Sequence, residues 1–384
     1  ATSKQVHAPM SASKLFSPIT LGGVDLANRI IVAPMCQYSA VNGDVTDWHL
    51  MHLGQFAVSG VGLIFVEATG VSPEGRISPG CVGLWSDENQ AALTRVVGFC
   101  NDFGNAKMGI QLAHAGRKAS TDLPWRGAAP LPASDPRGWQ TVAPSATPYN
   151  QAFPAPTALD EAGMAKVIDD FRAAAKRADA IGFEVLEIHM AHGYLLHQFL
   201  SPLSNQRNDG YGGSLEGRMR FPLEVFAAVR DIWPTHKALG VRISATDWVE
   251  SSSWSVAEAS CFTGALKAAG AEFIDVSSGG NSPAQKIDAG PGYQTGFAAT
   301  IKREVGLPTM AVGQITQPHQ AEAILRSDQA DMVALARGML NDPRWAWHAA
   351  EALNAQAAYA PQYMRSNRAL RGEPIPGNPP IPSQ

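Results

Sequence analysis

Apolar residues along this chain gather into short, nearly continuous runs, and the stretches between them carry apolar positions spaced by three and four. Eight such runs stand out: RIIVAP (29–34), VGLIFVEA (61–68), AKMGIQL (106–112), FEVLEIH (183–189), LGVRISA (239–245), AEFIDVS (271–277), PTMAVG (308–313) and ADMVALAR (330–337). Continuous rather than alternating apolar character predicts strands buried on both faces, as in a parallel sheet. Segments 163–181 and 214–232 have the helical period that a crossover between parallel strands requires. Eight strand–helix units predict a single (β/α)8 TIM barrel. The alternative, an open doubly wound sheet, usually shows a glycine-rich turn after its first strand, whereas the first run here continues into APMCQYS.

Two stretches break the pattern. Residues 113–157, rich in Pro, Trp and Ser, have no clear period and are too long for an ordinary barrel loop, so they predict an inserted lid or subdomain loop after strand three. Residues 367–384 form a proline-rich tail expected to run extended or disordered. The whole of 1–384 is otherwise expected to be one barrel domain.

Charge and cysteine content narrow the function. A formal net charge of -4, without a run of lysines and arginines, offers no pull on nucleic acid. Cys36, Cys81, Cys100 and Cys261 are widely spaced and form no C-x-x-C pair, which suggests neither a zinc cluster nor a disulfide framework. No signal-like apolar segment and no membrane-spanning run is visible, so a reducing cytoplasm is the expected location.

Barrel chemistry sits at the carboxyl ends of the strands. Polar residues are dense there: Pro34, Met35, Cys36 and Tyr38 follow strand one, Ala68 and Thr69 strand two, and Gln111 and His114 fall at strand three. His189, His192 and Tyr194 follow strand four, Arg242 lies in strand five, and Ser277-Ser278-Gly279-Gly280 end strand six. Gly313-Gln314 and Arg337-Gly338 close strands seven and eight, where glycine backbone and an arginine can cradle a phosphate. Arg242 interrupts an apolar strand and therefore needs an anionic or electron-rich partner, either a structural carboxylate or a cofactor ring that becomes negative. The histidine pair admits three readings. It could ligate a metal, although Glu187 lies two residues earlier on the strand and no H-E-x-x-H motif is present; it could be satisfied by backbone carbonyls; or both rings could donate to one substrate oxygen while Tyr194 supplies a proton.

These residues lie within longer motifs: FSPITLGGVDLANRIIVAPMCQYSA (16–40), EATGVSPEGRIS (67–78), QLAHAGRKA (111–119), EIHMAHGYLLHQFLSPLSNQRNDGYGGS (187–214), DVSSGG (275–280) and LARGMLNDPRW (335–345). In that order they resemble the old yellow enzyme family, in its thermophilic-like subclass that includes bacterial xenobiotic reductases. The resemblance implies an FMN barrel that oxidises NADPH and, by ping-pong hydride transfer, reduces the C=C bond of activated alkenes, often also nitro compounds or quinones. It places Ala33, Pro34, Met35, Cys36, Ala68, Gln111, Arg242, Gly313, Ala336 and Arg337 against FMN. Cys36, where other old yellow enzymes typically carry threonine, would tune the flavin. His189 and His192 would bind the substrate oxygen, Tyr194 would protonate the α-carbon, and Tyr38 would contact substrate. Arg365, within QYMR, would enter the neighbouring subunit's site in a homodimer or higher homo-oligomer.

Rival readings lack their signatures. An iron–sulfur relative of the same barrel needs clustered cysteines and extra domains. A Schiff-base aldolase needs a lysine at a strand end, yet Lys107 lies at the beginning of strand three. A non-catalytic flavin carrier would have no use for His189, His192 and Tyr194 together.

Overall fold

The computed structural model describes residues 12–367. Eight parallel strands close into a barrel: β1 (Ile30–Val32), β2 (Leu63–Gly70), β3 (Lys107–Ala113), β4 (Val185–Met190), β5 (Ala238–Ser244), β6 (Phe273–Ser277), β7 (Thr309–Val312) and β8 (Met332–Leu335). They neighbour one another in chain order, and β8 returns to β1 with Ala334 opposite Ile31. Every predicted run overlaps its strand. The first run overshoots because Pro34 has no N–H for the ladder; the last rung is Ala33 N–H donating to the Leu335 carbonyl at 3.0 Å.

Helices α1 (Asp47–Ala57), α2 (Asp87–Phe103), α3 (Glu161–Ile181), α4 (Leu215–Ile232), α5 (Val256–Ala268), α6 (Thr295–Val305), α7 (Pro318–Arg326) and α8 (Trp345–Ala352) follow the strands in turn. Their starts are set by side-chain caps, in which Ser86, Asp160, Ser214 and Ser255 each accept a backbone N–H three residues on. Helix α3 stops at Gly182, whose φ of 100° is open to glycine at little cost. Between barrel and helices lies the main core, with Phe56, Phe171, Phe226 and Phe262 fully buried; each such side chain contributes about 1.5–3 kcal/mol. A hairpin of Ile19–Leu21 and Val24–Leu26 plugs the amino-terminal mouth, where Leu21, Val24 and Leu26 pack with Ile31, Phe65, Phe273 and Met332. That end of the barrel is thereby sealed by apolar side chains.

The stretch between β3 and α3 holds the turns Gly116–Lys118 and Pro124–Arg126 and a two-residue ladder of Val142–Ala143 with Thr157–Ala158. It is pinned by polar contacts: Arg117 Nη1 donates to the Thr147 and Pro148 carbonyls, and Arg207 Nη1 donates to the Pro144 carbonyl at 2.9 Å. Of the tail beginning at Asn367, residues 368–384 lie outside the described residues.

Candidate active site

Inside the barrel, β3 to β6 bring Gln111, Glu187, Arg242 and Asp275 together, with Gln111 in register with Glu187 and Arg242 in register with Asp275. In-register neighbours on parallel strands point the same way; Arg242 lies opposite His189, two residues past Glu187, and its side chain reaches back to join the pairs into one buried polar cluster, with Nε 3.8 Å from Glu187 Oε1. Gln111 Nε2 donates to Glu187 Oε1 at 2.7 Å, and Arg242 Nε donates to Asp275 Oδ2 at 2.7 Å. Burial opposes the guanidinium charge, but Asp275 and Glu187 outweigh it and raise the Arg242 pKa. The anionic partner expected for Arg242 is therefore found within the protein. Arg242 Nη2 lies 2.6 Å from Asp275 Oδ2 but without the alignment of a hydrogen bond, and remains an unpaired buried donor.

One step toward the mouth, the rings of His189, His192 and Tyr194 meet edge-to-face, with centroids 5.0 to 6.5 Å apart. His189 Nδ1 accepts the Ala191 N–H at 3.2 Å, so the proton of the neutral ring sits on Nε2. His192 Nε2 lies 2.7 Å from Ser277 Oγ; with that hydroxyl donating, Nδ1 carries the ring proton. Burial holds both histidines well below their ordinary pKa, with the charge of Arg242 adding to the effect at each. The Tyr194 phenol is pushed well above its ordinary value, by burial first and then by Cys36 and Tyr38. The site therefore presents two neutral imidazole donors and a protonated phenol. Among the described residues, no group of three His, Cys, Asp or Glu side chains is arranged to hold a metal.

Several supporting residues escaped the sequence reading. His192 has a φ of 60°, unusual for a residue with a Cβ, and its carbonyl is held by Lys118 Nζ at 2.7 Å. The same ammonium donates to the Gly280 carbonyl at 2.7 Å and lies 5.1 Å from the Tyr194 ring centroid. Burial, with Arg117 nearby, lowers its pKa to about 8. His197 Nδ1 accepts the Gly193 N–H at 2.9 Å, while its Nε2 lies 2.9 Å from Asp247 Oδ1. Asp247 also accepts Ser201 Oγ–H and the Trp254 N–H. Lys118 was visible only as part of QLAHAGRKA and His197 only as the third histidine of the strand-four motif. His114, by contrast, is packed away, with a pKa lowered by burial to about 4 and Nδ1 accepting the Gly116 N–H.

Around the rim, the segment after β1 lays out Pro34, Met35, Cys36 and Tyr38, all half-buried. A hydrogen bond with Cys81, then burial, then the Glu67 charge raise the Cys36 thiol well above its ordinary pKa, which keeps it protonated. Ala68 supplies a backbone hydrogen bond to that thiol. Gly313 has a φ of 119°, and a Cβ there would lie 2.7 Å from Gln294 Nε2 and 3.0 Å from the Tyr293 ring. The exposed Arg337, following Ala336, lies within electrostatic reach of Tyr293. Thus Gly313, Ala336 and Arg337 share one side of the mouth. Arg365 stands apart: it is exposed on the turn Pro361–Ser366, whose Tyr363 packs beside Trp347 and Arg344.

The model of the NADH:flavin oxidoreductase / NADH oxidase family matches residues 14–356. This chain is an old yellow enzyme. It is 44% identical over 356 residues to an NADPH dehydrogenase of Geobacillus thermodenitrificans, covering 92% of this chain and 98% of that one. A second NADPH dehydrogenase, from Listeria innocua, is 42% identical over 356 residues, with 92% and 99% covered. Among solved structures, morphinone reductase superposes with a TM-score of 0.75 at 28% identity, over 92% of this chain and 94% of that one. The protein is accordingly an FMN-dependent oxidoreductase with a nicotinamide hydride donor.

The barrel mouth fits that cofactor. Arg242 Nη2 is an unpaired buried donor of the kind a ring that becomes anionic on reduction requires, and Gln111 retains its amide oxygen and a second N–H beyond the bond to Glu187. At the ends of the adjacent strands β7 and β8, the Gly313 backbone N–H and the exposed Arg337 guanidinium are donors of the kind a phosphate requires.

Proposed function

We propose that this old yellow enzyme reduces the C=C bond of activated alkenes such as α,β-unsaturated carbonyls, with nitro compounds and quinones as further acceptors. When bound, FMN supplies hydride drawn from NADPH. Ala33, Pro34, Met35, Cys36, Ala68, Gln111, Arg242, Gly313, Ala336 and Arg337 are the residues that would hold it.

The observation that carries the reading is the His189–His192–Tyr194 cluster: two neutral imidazoles with N–H donors beside a phenol kept protonated by burial. His189 Nε2–H and a ring N–H of His192 bind the carbonyl oxygen and favour the enolate; donors of this kind are worth about 3 kcal/mol each. Tyr194 holds a proton on Oη and delivers it to the α-carbon. Tyr38, T-stacked on Trp125 at 6.1 Å, lines the approach. The 113–157 loop acts as a lid, since its Lys118 ammonium lies 5.0 Å from the loop's own Tyr149 ring and 5.1 Å from that of Tyr194. Arg365, exposed on its turn, reaches the site of a second copy in a homodimer. Four free cysteines suit a reducing cytoplasm.

Rapid-mixing kinetics of Tyr194→Phe test the assignment. Alkene reduction is expected to slow by about 10²–10⁴-fold, and flavin reduction by NADPH far less. Equal slowing of both half-reactions would remove Tyr194 from the proton-donor role. In parallel, a para-substituted phenol is expected to raise a long-wavelength charge-transfer band in the yellow protein, and His189→Ala to abolish it.

A further inference from the structure

The buried polar layer beneath the histidines contains two carboxyls and one cation. Glu187 and Asp275 are both fully buried, at 0% exposure, and Arg242 is the guanidinium that faces them. Glu187 Oε1 accepts from Gln111 while Oε2 has no partner, and Asp275 Oδ2 accepts from Arg242 while Oδ1 has none. The two side chains nevertheless lie within hydrogen-bonding reach of each other. Ionised carboxylates only accept, so two anions here would leave both orphaned oxygens unsatisfied and repelling. One proton between them provides the missing donor.

Its placement follows from the partners. Asp275 is held by Arg242 at 2.7 Å from Nε and 2.6 Å from Nη2, whereas Glu187 lies 3.8 Å from Nε. The anion therefore belongs on Asp275 and the acid on Glu187.

We propose that Glu187 is a positioning residue that carries a proton on Oε2 and donates it to Asp275 Oδ1, locking Gln111 and Arg242 into the orientations they offer the flavin ring.

Burial, and then the Asp275 charge, push Glu187 well above the ordinary carboxylate range, with Arg242 and Gln111 only partly opposing. The other titratable groups near Arg242 are His189 and His192, both of which burial keeps neutral. With Glu187 protonated, Arg242 and Asp275 cancel, and an anionic reduced ring meets no net negative charge from this layer. One N–H of Gln111 stays tied to Glu187, leaving its oxygen and second N–H for the ring. Only these last consequences rest on the FMN site; the proton itself does not.

Infrared spectroscopy of the holoenzyme, and of the same protein stripped of FMN, tests the assignment directly. At pH 8 a carboxylic-acid carbonyl band that shifts on deuteration is expected, and it should be missing from Glu187→Gln. Glu67, a second buried carboxyl with a raised pKa, is untouched by that substitution, so any band from it survives and the variant-minus-wild-type difference is what counts. A difference spectrum without the band overturns the proposal, as does a band lost in Asp275→Asn but kept in Glu187→Gln.

The second readout is FMN affinity measured by titration of the apoprotein. A glutamine at 187 can still accept from Gln111 and donate to Asp275, so Glu187→Gln should bind FMN close to wild type. Glu187→Ala, which leaves both partners unsatisfied, should bind about tenfold or more weakly. Equal weakening in the two variants refutes the positioning role, with circular dichroism establishing that both fold. Wild-type protein that bound no FMN would sink the cofactor reading and leave the infrared result to decide the proton.

Discussion

Replacing Lys118 with methionine removes an ammonium that ties three loops of the active site together. Its Nζ donates to the His192 and Gly280 carbonyls, both at 2.7 Å, and lies 5.0 and 5.1 Å from the Tyr149 and Tyr194 ring centroids. Burial lowers its pKa from 10.5 to about 8. At 1.36 kcal/mol per pKa unit, that drop costs the folded state about 3 kcal/mol while the amine is charged in both states. The sign follows from proton binding. Between pH 8 and 10.5 the unfolded chain keeps the proton that the folded protein has released, so stability rises with pH through this window. From pH 7 to pH 9.5 this single group contributes a gain of about 2 kcal/mol. Urea unfolding of the holoenzyme at both pH values, wild type against Lys118→Met, isolates it because the other titrations are common to the two proteins. The methionine variant should lack the gain. At pH 7 its net stability change is small, since relief of the charge penalty offsets about 1–3 kcal/mol for each carbonyl left without a donor. Parallel pH dependence in the two proteins would show that Lys118 is not held as a buried cation, and the argument from its depressed pKa would fall.

Other expectations follow from the same contacts. Asp247→Asn should destabilise the protein by about 1–3 kcal/mol in thermal or urea unfolding, because an amide has one acceptor oxygen where the buried carboxylate had two for His197, Ser201 and Trp254, so a buried donor loses its partner; no measurable effect would contradict the buried network. Iodoacetamide at pH 7 should label the exposed Cys261 well before Cys36, whose thiol is raised above its ordinary pKa, as peptide mass spectrometry can follow. Comparable labelling of the two would mean Cys36 carries thiolate character. Binding of an uncharged enone should not change between about pH 7 and pH 6, below the titration of Lys118, since His189 and His192 are neutral throughout. A loss of affinity near pH 6.5 would place a titrating histidine in the site.

The sequence by itself determined the barrel, because eight continuous apolar runs separated by helical spacing have few ways to bury both faces of each strand. It also determined which residues could reach the mouth: His189, His192, Tyr194, Gln111 and Arg242 lie at or near strand ends, and strand-end position is a local property. Chemical state was not local. That His189 carries its proton on Nε2 depends on the turn that brings the Ala191 N–H to Nδ1. Glu187 read as a strand residue just before the histidines, and became a site residue only when β3, β5 and β6 placed Gln111, Arg242 and Asp275 around it. Lys118 joins the Gly280 carbonyl across 162 positions, a separation no motif spacing encodes. Protonation and orientation depend on desolvation and on partners distant in sequence, and both exist only once the barrel has closed.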